Sequence, residues 1–366
     1  MEEDQQTGLP STYEGITNDG KQIDRVHQFA NEVRPLPSYH VRTTDEVNGK
    51  VFLLIRISEG GAPPYTPKND PTVYLRTGNI TTPLGRADVD IVRDLYAKRV
   101  NAEAERRDNA SRAFTRLLVR LEQAEEASAQ AMAAPGAPEP ESAPDLLPPG
   151  KLRYFTSYLQ PFYPYRELTQ PRAIFAKLNN LRVMHKNSGR HFPSTQTRPI
   201  ARGMFSFEWK RQNQAFSCDQ IYANGLFMHS ESLARPWADR GDDIFVADIA
   251  RNLYTTLLFG RGLYNEVGYS GLTRGALVLE RASGARVMPI WPSGRRHGGY
   301  FDSDLPRALD DTYSWPIEAD THQLSDEDWV NTYFYERVRE ICWDLGIDDL
   351  ARATMDEYLR ESAFNR

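Results

Sequence analysis

The 366-residue sequence lacks the features that mark secreted, membrane-spanning and metal-binding proteins. Its two cysteines, Cys218 and Cys342, lie far apart, and neither belongs to a CxxC or Cys/His pattern, so we expect neither a disulfide framework nor a zinc site. No apolar run approaches the roughly twenty residues that span a bilayer. The first residues are acidic and polar and do not form a signal peptide. We therefore expect a cytoplasmic protein that does not enter a membrane.

Common catalytic motifs are also missing. The sequence contains no Walker, GxSxG, HExxH or EF-hand pattern, and we expect neither a cofactor nor a bound metal. A glycine-flanked basic loop at residues 294–299 (GRRHGG) makes Arg295 and Arg296 candidates for binding an anion, with an ordinary flexible hairpin loop as the alternative. These observations leave enzymatic activity open and favour a non-catalytic role.

The sequence does contain a strong asymmetry of charge. Residues 151–235 carry 13 Lys/Arg against 4 Asp/Glu, a balance of +9, whereas residues 236–366 carry 14 against 23, a balance of -9. Aromatic residues are interleaved with the cations of the basic segment, which suits single-stranded nucleic acid because cations follow the phosphates and rings stack on bases. The alternative is neutralisation of this segment by the acidic one. The candidate nucleic-acid-binding cations are Arg182, Lys186, Arg190, Arg198 and Arg202.

Proline and apolar patterns divide the chain into an N-terminal part and a larger C-terminal part. Residues 22–33 predict a helix, and residues 39–57 predict two strands joined by an Asn-Gly turn. Residues 86–131 predict one long helix or two joined ones, with a charged stretch at residues 101–111 that projects into solvent or pairs with a partner helix. The expected domains are an N-terminal unit at 1–99, a charged helix at 100–131, a Pro/Ala-rich linker at 132–150 and a C-terminal domain at 151–366.

The C-terminal part alternates strand and helix patterns. Helices are expected at about residues 243–264 and 326–343, the latter capped by Ser325, and a final one at about 348–362. The predicted fold class is α+β: a small incomplete α/β unit, a long helix, and a larger α+β domain with a mostly antiparallel sheet. Strands are expected at residues 204–209, 221–228, 276–281 and 286–291, the last two as a hairpin.

Three short blocks in the N-terminal unit carry a resemblance to a known family. They are residues 33–39 (VRPLPSY), 49–57 (GKVFLLIRI) and 74–83 (YLRTGNITTP). In order and spacing they resemble the carboxy-terminal half of the Schlafen/AlbA-type DNA-binding domain, over about residues 33–99. The resemblance implies binding of DNA or RNA.

The third block has a physical logic of its own. Arg76 ends a strand, a following glycine permits a turn with positive φ, and Thr77, Asn79 and Thr82 offer small hydrogen-bonding groups before a helix. Such a corner can hold a phosphate through one cation, hydroxyls and backbone N–H groups. The alternative is that Arg76 forms a structural ion pair and the threonines cap the helix.

The front half of the family's domain has no counterpart in this sequence. Either the true start lies upstream of Met1, or a partner chain completes the sheet, or the domain has decayed. Because the catalytic carboxylates of the family's ribonucleases lie largely in that half, the resemblance carries over no nuclease activity. An incomplete sheet exposes an edge and an apolar face. We therefore expect a homodimer or a partner protein bound through the N-terminal elements, with a second association surface formed by Phe114, Leu117, Leu118 and Leu121.

Three functions are compatible with these patterns. The leading hypothesis is a non-catalytic nucleic-acid-binding protein, favouring single strands, that acts in transcription regulation or antiviral defence while the C-terminal domain senses or docks. The first alternative is an interaction or assembly protein that binds no nucleic acid. The second alternative is a nuclease or nucleotide-binding enzyme whose missing segment comes from upstream or from a partner.

Overall fold

The chain folds as two compact units, Met1–Asn101 and Ala102–Arg366. The computed structural model describes residues 15–17, 20–37, 39–57, 63–70, 72–77, 80–85, 88–132, 152–162, 167–185, 191–210, 215–233, 243–290, 305–347, 354–356 and 364–365. The two units are described separately below. A single helix of 44 residues, α2, crosses the boundary between them.

The first unit consists of one short helix and small two-stranded sheets. Its elements are β1 (Ile16–Thr17), α1 (Lys21–Asn31), β2 (Val33–Arg34), β3 (Tyr39–Thr43), β4 (Lys50–Val51), β5 (Leu53–Ile57), β6 (Thr66–Pro67), β7 (Tyr74–Thr77), β8 (Ile80–Pro83) and the beginning of α2 (Val89–Met132). The predicted pairing of β3 with β5 is confirmed. Asn48 and Gly49 turn the chain between them with φ values of 53° and 75°, the left-handed conformation that an Asn-Gly turn supplies.

The second unit is built from twelve strands and four complete helices among its described residues, together with most of α2. They are β9 (Tyr154–Pro161), α3 (Pro171–Leu181), β10 (Val183–His185), β11 (His191–Phe192), β12 (Arg198–Ile200), β13 (Gly203–Lys210), β14 (Ala215–Tyr222), β15 (Phe227–Ser232), β16 (Asp243–Phe245), α4 (Val246–Glu266), β17 (Leu272–Glu280), β18 (Arg286–Met288), β19 (Thr312–Asp320), α5 (Thr321–Ser325), α6 (Glu327–Asp344) and β20 (Phe364–Asn365).

A seven-stranded sheet forms the centre of this unit, in the order β12-β13-β14-β15-β9-β17-β19. Every neighbouring pair in it is antiparallel. The close approach of β17 to β9 requires a glycine, because a Cβ on Gly275 would lie 1.8 Å from the Tyr158 carbonyl oxygen. The fold class is therefore α+β with an antiparallel sheet, as the sequence predicts.

Helices cover both faces of the sheet. Side chains alternate along each strand, so each face presents its own set of residues to the helices that cover it. On β14, Phe216 and Cys218 face α2, where they pack with Leu117 and Leu121. On the other face, Ile221 packs into the main core. In that core, α3, α4, α5 and α6 contribute buried side chains that pack with those of β9, β15, β17 and β19. Polar residues of β13, β14 and β15 on this same face form the site described below.

Two predicted strand arrangements are wrong. Residues 276–281 and 286–291 do not form a hairpin, since β17 pairs with β9 and β19, and β18 pairs in parallel with β16. Residues 221–228 are not one strand, because the chain reverses at Asn224 and at Gly225, whose φ is 85°. Both errors arise because a local apolar pattern does not reveal which distant strand it will pair with.

The helix boundaries agree with the predicted ranges better than the strand arrangements do. Helices α1, α4 and α6 lie within a few residues of the expected ranges. Asp326, not Ser325, caps α6, because the Asp326 carboxylate accepts hydrogen bonds from the N–H groups of Asp328 and Trp329. The predicted helix at 348–362 falls mostly outside the described residues, which include a helical turn at 354–356.

The charged stretch of α2 projects into solvent on one side only, because three of its residues are buried on the other side. Ala102, Arg106 and Ala110 lie four residues apart and are all buried. The Arg106 guanidinium stacks 4.1 Å from the centre of the Phe162 ring and donates a 2.6 Å hydrogen bond to the Phe162 carbonyl oxygen. Two alanines allow the helix to approach the sheet, and one arginine satisfies a backbone acceptor there.

Most of the residues expected to form an association surface on α2 pack inside the second unit instead. Leu117 and Leu121 are fully buried against the sheet, and Phe114 packs edge-on against Tyr158. Of the four residues, Leu118 is the one that remains exposed. The apolar stripe of this helix therefore belongs to the core of the second unit.

Candidate functional site

A row of polar residues crosses the face of the sheet that lies under α4. The antiparallel register places Ser206 of β13 opposite Asp219 of β14, and Asp219 opposite His229 of β15. In the next row, two residues along, Ser217 of β14 lies between Glu208 of β13 and Glu231 of β15. Residues two apart on a strand share a face, so all of these side chains point to the same side.

Asp219 anchors this arrangement. Its carboxylate is 2% exposed, and His229 Nδ1 lies 2.5 Å from Asp219 Oδ1. The backbone N–H of Ser194 donates a 2.6 Å hydrogen bond to Asp219 Oδ2, and the Ser206 hydroxyl donates another of 3.2 Å. Three donors therefore hold the buried carboxylate, and Asp219 fixes the orientation of the imidazole.

A second group of charges continues from the imidazole to helix α4. His229 Nε2 lies 3.7 Å from Glu231 Oε2, and Arg251 donates a 3.2 Å hydrogen bond to the same oxygen. Arg251 also donates a 2.9 Å hydrogen bond to Asp248, three residues earlier in α4. We refer to Asp219, His229, Glu231, Asp248 and Arg251 as the charged cluster.

A cavity of about 250 Å³ opens beside the charged cluster. Among its lining residues are Ser194, Glu208, Ser217 and Asn252, and the exposed Lys210 lies at the end of β13. The Ser194 hydroxyl donates a hydrogen bond to Glu208. Asn252 is buried, and its side-chain oxygen accepts a 2.8 Å hydrogen bond from Ser157.

Burial of the charged cluster is unfavourable for folding. Each ion loses hydration between the sheet and α4, and a buried ion network seldom stabilises a protein more than well-packed apolar residues of similar size. Ionisable groups concentrated around a cavity are typical of binding and catalytic sites. Among the described residues, no hydroxyl or thiol hydrogen-bonds to the His229 ring. This arrangement is suited to the binding of a polar molecule.

Sequence analysis did not identify this site. Two features of the sequence could have indicated it. Polar residues stand at positions of otherwise apolar strands, namely Asp219, His229 and Glu231. In addition, Asp248 and Arg251 share one face of a helix. Each signal is weak alone. They converge only through the pairing of β13, β14 and β15, which the sequence does not reveal.

The N-terminal candidates lie on a hairpin. Arg76 and Thr77 belong to β7, and Thr82 belongs to β8, which pairs antiparallel with β7. Thr82 belongs to a strand, and α2 begins after it at Val89, within a few residues of the predicted helix start at residue 86. The side chains of Arg76, Thr77 and Thr82 lie outside what the structure describes, as does Asn79 altogether.

The basic-segment candidates are only partly described. Lys186 and Arg190 lie outside the described residues, as do Arg295 and Arg296 of the glycine-flanked loop. Arg182 follows α3 and is half-buried, whereas Arg198 on β12 and Arg202 in the next turn are exposed.

Much of the basic segment has a structural role. Tyr154, Phe155, Phe162 and Phe192 are buried in the second unit and are not available to stack on bases. Lys177 forms an ion pair with Glu266. Intramolecular neutralisation, the alternative given above, therefore accounts for part of this segment.

Arg202 lines a second cavity, of about 210 Å³, beside α2. Arg112 and Arg116 also line it, but so do three acidic residues. Arg112 pairs with Asp108, and Arg202 lies 3.6 Å from Glu167. The mixed charges make this cavity a poor site for a compact anion.

Two further features concern the residues that the structure describes. No three His, Cys, Asp or Glu side chains there are grouped so as to hold a metal ion. None of the helices described is both long and apolar enough to cross a membrane. Comparisons with protein-family models, curated proteins and solved structures gave no match. The resemblance of residues 33–99 to the Schlafen/AlbA-type domain stays a prediction.

Proposed function

We propose that this is a non-catalytic nucleic-acid-binding protein, a regulator or a component of a defence assembly, whose second unit senses a small polar ligand. The cavity beside the charged cluster carries the sensing part of the proposal. It brings Glu208, Ser217, Glu231 and Asn252 to one concave surface, and its walls come from β10, β11, β13, β14, β15 and α4, with two residues that follow β11. Sites built on regular elements hold polar groups in fixed positions, as ligand recognition requires.

The nucleic-acid-binding part rests on exposed cations and on the N-terminal resemblance. Arg198 lies on β12, the edge strand of the large sheet, and Arg202 follows it in the turn to β13. Both side chains are exposed. Cations on an exposed edge can contact successive phosphates of a single strand.

The test is the binding of a fluorescent single-stranded oligonucleotide, as DNA and as RNA, followed by anisotropy at several salt concentrations. The double variant Arg198→Glu/Arg202→Glu should bind more weakly and with a shallower salt dependence, by about 0.7 in log–log slope for each lost phosphate contact. Arg339→Glu, an exposed arginine on α6, is the matched control. Unchanged affinity and slope in the double variant would favour the interaction-protein alternative.

We also propose that the first unit associates with a second copy of the chain through β5. Leu54, Ile55 and Ile57 of this strand are exposed, on both of its faces. Among the described residues, β5 pairs with β3 alone, and a two-stranded sheet is marginal in water. Pairing of two β5 strands around a two-fold axis would bury the same apolar residues on both copies.

Sedimentation of the full chain tests this association. The wild-type chain should sediment as a dimer at micromolar concentration, and Ile57→Lys should shift it toward monomer because a charge would enter the apolar interface. Phe175→Lys, an exposed aromatic on α3 of the second unit, is the control and should remain dimeric. A monomeric wild-type chain would contradict the proposal.

A further inference from the structure

The charges around the cavity are not balanced. Three carboxylates line it, from Glu208, Asp219 and Glu231, against the two cations Lys210 and Arg251. Arg251 is shared by two carboxylates, Glu231 and Asp248. Asp219 is held by three hydrogen-bond donors, as described above. The carboxylates that line the cavity therefore outnumber its lysine and arginine side chains.

Glu208 is the least compensated of these carboxylates. Its partner in the described part of the chain is the Ser194 hydroxyl, and no cationic side chain there forms an ion pair with it. Lys210 lies two residues further along the same strand, where its exposed side chain is at the rim of the cavity. A carboxylate can accept several hydrogen bonds, so Glu208 retains acceptor capacity toward the cavity.

The sheet also determines the spacing of the acceptors. Glu208 and Glu231 lie in one cross-strand row with Ser217 on the strand between them. Strands two apart in a sheet are about 9–10 Å from each other, and a serine fills little of the space above the central strand. The two carboxylates thus lie on opposite sides of a depression that is wide enough for a small molecule. Asn252 and Arg251 of α4 also line it.

We infer that the cavity binds a small molecule through a primary ammonium group held by Glu208. This inference rests on the proposed ligand-sensing function and names the class of its ligand. A primary ammonium group carries a positive charge and three hydrogen-bond donors, and it has no acceptor. It therefore complements Glu208, whose carboxylate forms no ion pair with a described cationic side chain. An anion of the same size would be repelled by these carboxylates, because Arg251 is already engaged by two acids and Lys210 lies at the rim of the cavity.

The experiment measures binding of four probes of matched length to the full chain by isothermal titration calorimetry. The probes are 1,4-diaminobutane, 4-aminobutanoate, 1,4-butanediol and succinate, which differ in charge at the ends of one four-carbon chain. The two ammonium compounds should bind, and the diol and the diacid should not. Glu208→Gln should weaken ammonium binding about ten- to hundredfold, since a charge-assisted hydrogen bond becomes a neutral one.

Glu167→Gln is the matched control, because it makes the same chemical change at an exposed site outside this cavity. It should leave the affinity unchanged. Tryptophan fluorescence during thermal unfolding checks that both variants are folded. Equal loss of affinity in the two variants, or full affinity in Glu208→Gln, would overturn the inference.

The probe series also separates this inference from the proposed function. Binding of succinate or of the diol without the ammonium compounds would overturn the ammonium class and leave a ligand-sensing cavity. Binding of none of the four would overturn the ammonium inference. The oligonucleotide titration described above is independent of this result and tests the nucleic-acid-binding part separately.

Discussion

The two units of this protein contain very different amounts of buried apolar surface. Among the described residues of the first unit, the buried hydrophobic side chains are those of Ala30, Val51 and Val73, and its sheets have two strands each. The second unit has a seven-stranded sheet covered on both faces, and its main core draws on every helix from α3 to α6. All six tryptophans also lie in the second unit.

This difference indicates where each unit obtains its stability. The second unit can accommodate a costly charged cluster because the surrounding apolar core is extensive. The first unit exposes apolar strand residues that would ordinarily be covered, so its stability should depend on association. The following experiments test this contrast, beginning with the largest expected effect.

Removing a core ring should affect the second unit strongly. Phe227→Ala should lower its free energy of unfolding by about 3–5 kcal/mol, because the fully buried ring packs on Phe259 and Tyr264. Denaturant unfolding followed by tryptophan fluorescence reports this unit alone. Ile57→Ala, in the exposed strand of the first unit, should change the same signal by less than about 0.5 kcal/mol. Similar losses in both variants would refute the contrast.

The buried arginine of α2 should contribute less, but measurably. Arg106→Met should destabilise the second unit by about 1.5–3 kcal/mol, because the Phe162 carbonyl oxygen loses a charged donor and the ring loses its cation. Arg107→Met makes the same change one residue later, where the side chain is exposed and its ion pair with Glu103 is 3.8 Å long. That variant should differ from wild type by less than about 0.5 kcal/mol. Equal effects would mean that residues 101–111 do not belong to this unit.

Helix α2 also illustrates how far sequence alone could predict the fold. Its helical character and the α+β class follow from local patterns of apolar residues. Its burial does not, because Ala102, Arg106 and Ala110 have no hydrophobic signature and become a contact surface only when a flat sheet lies beneath them. Mean hydropathy cannot distinguish an exposed arginine from one that stacks on a ring.

The same limit explains the strand errors and the missed site. The turn at Asn48 could be predicted because its residues are adjacent and its conformation is local. The pairing of β17 with β9 joins residues more than a hundred positions apart, and no local pattern reveals it. Asp219 and Glu208 meet the same cavity only after β13 and β14 adopt their register.

Alkaline pH should also destabilise the second unit. Burial raises the pKa of Tyr154 from 10.0 to about 12 and that of the Cys342 thiol from 9.0 to about 12. A raised folded-state pKa gives stability that is complete below the unfolded-state value and is lost as the pH rises. The unfolding temperature seen by tryptophan fluorescence should therefore fall between pH 9.0 and about 12, with the contribution of Tyr154 lost above pH 10.0.

Tyr154→Phe provides the control for this pH effect. Phenylalanine has no hydroxyl to ionise, so this variant should lose less stability than wild type between pH 10 and 12. An identical decline in both proteins would show that Tyr154 does not contribute. The native thiols should also resist alkylation at pH 8.5, since burial keeps both Cys218 and Cys342 protonated.

The most direct test of the central claim fills the cavity without touching a charge. Ser217 lies between Glu208 and Glu231 on the floor of the cavity, so Ser217→Leu places an apolar side chain where the ligand would lie. Calorimetric titration of the full chain with 1,4-diaminobutane should show one site per chain in the wild-type protein and no measurable binding in a folded Ser217→Leu variant. Equal binding by the two proteins would contradict the account, because the ligand would then bind elsewhere.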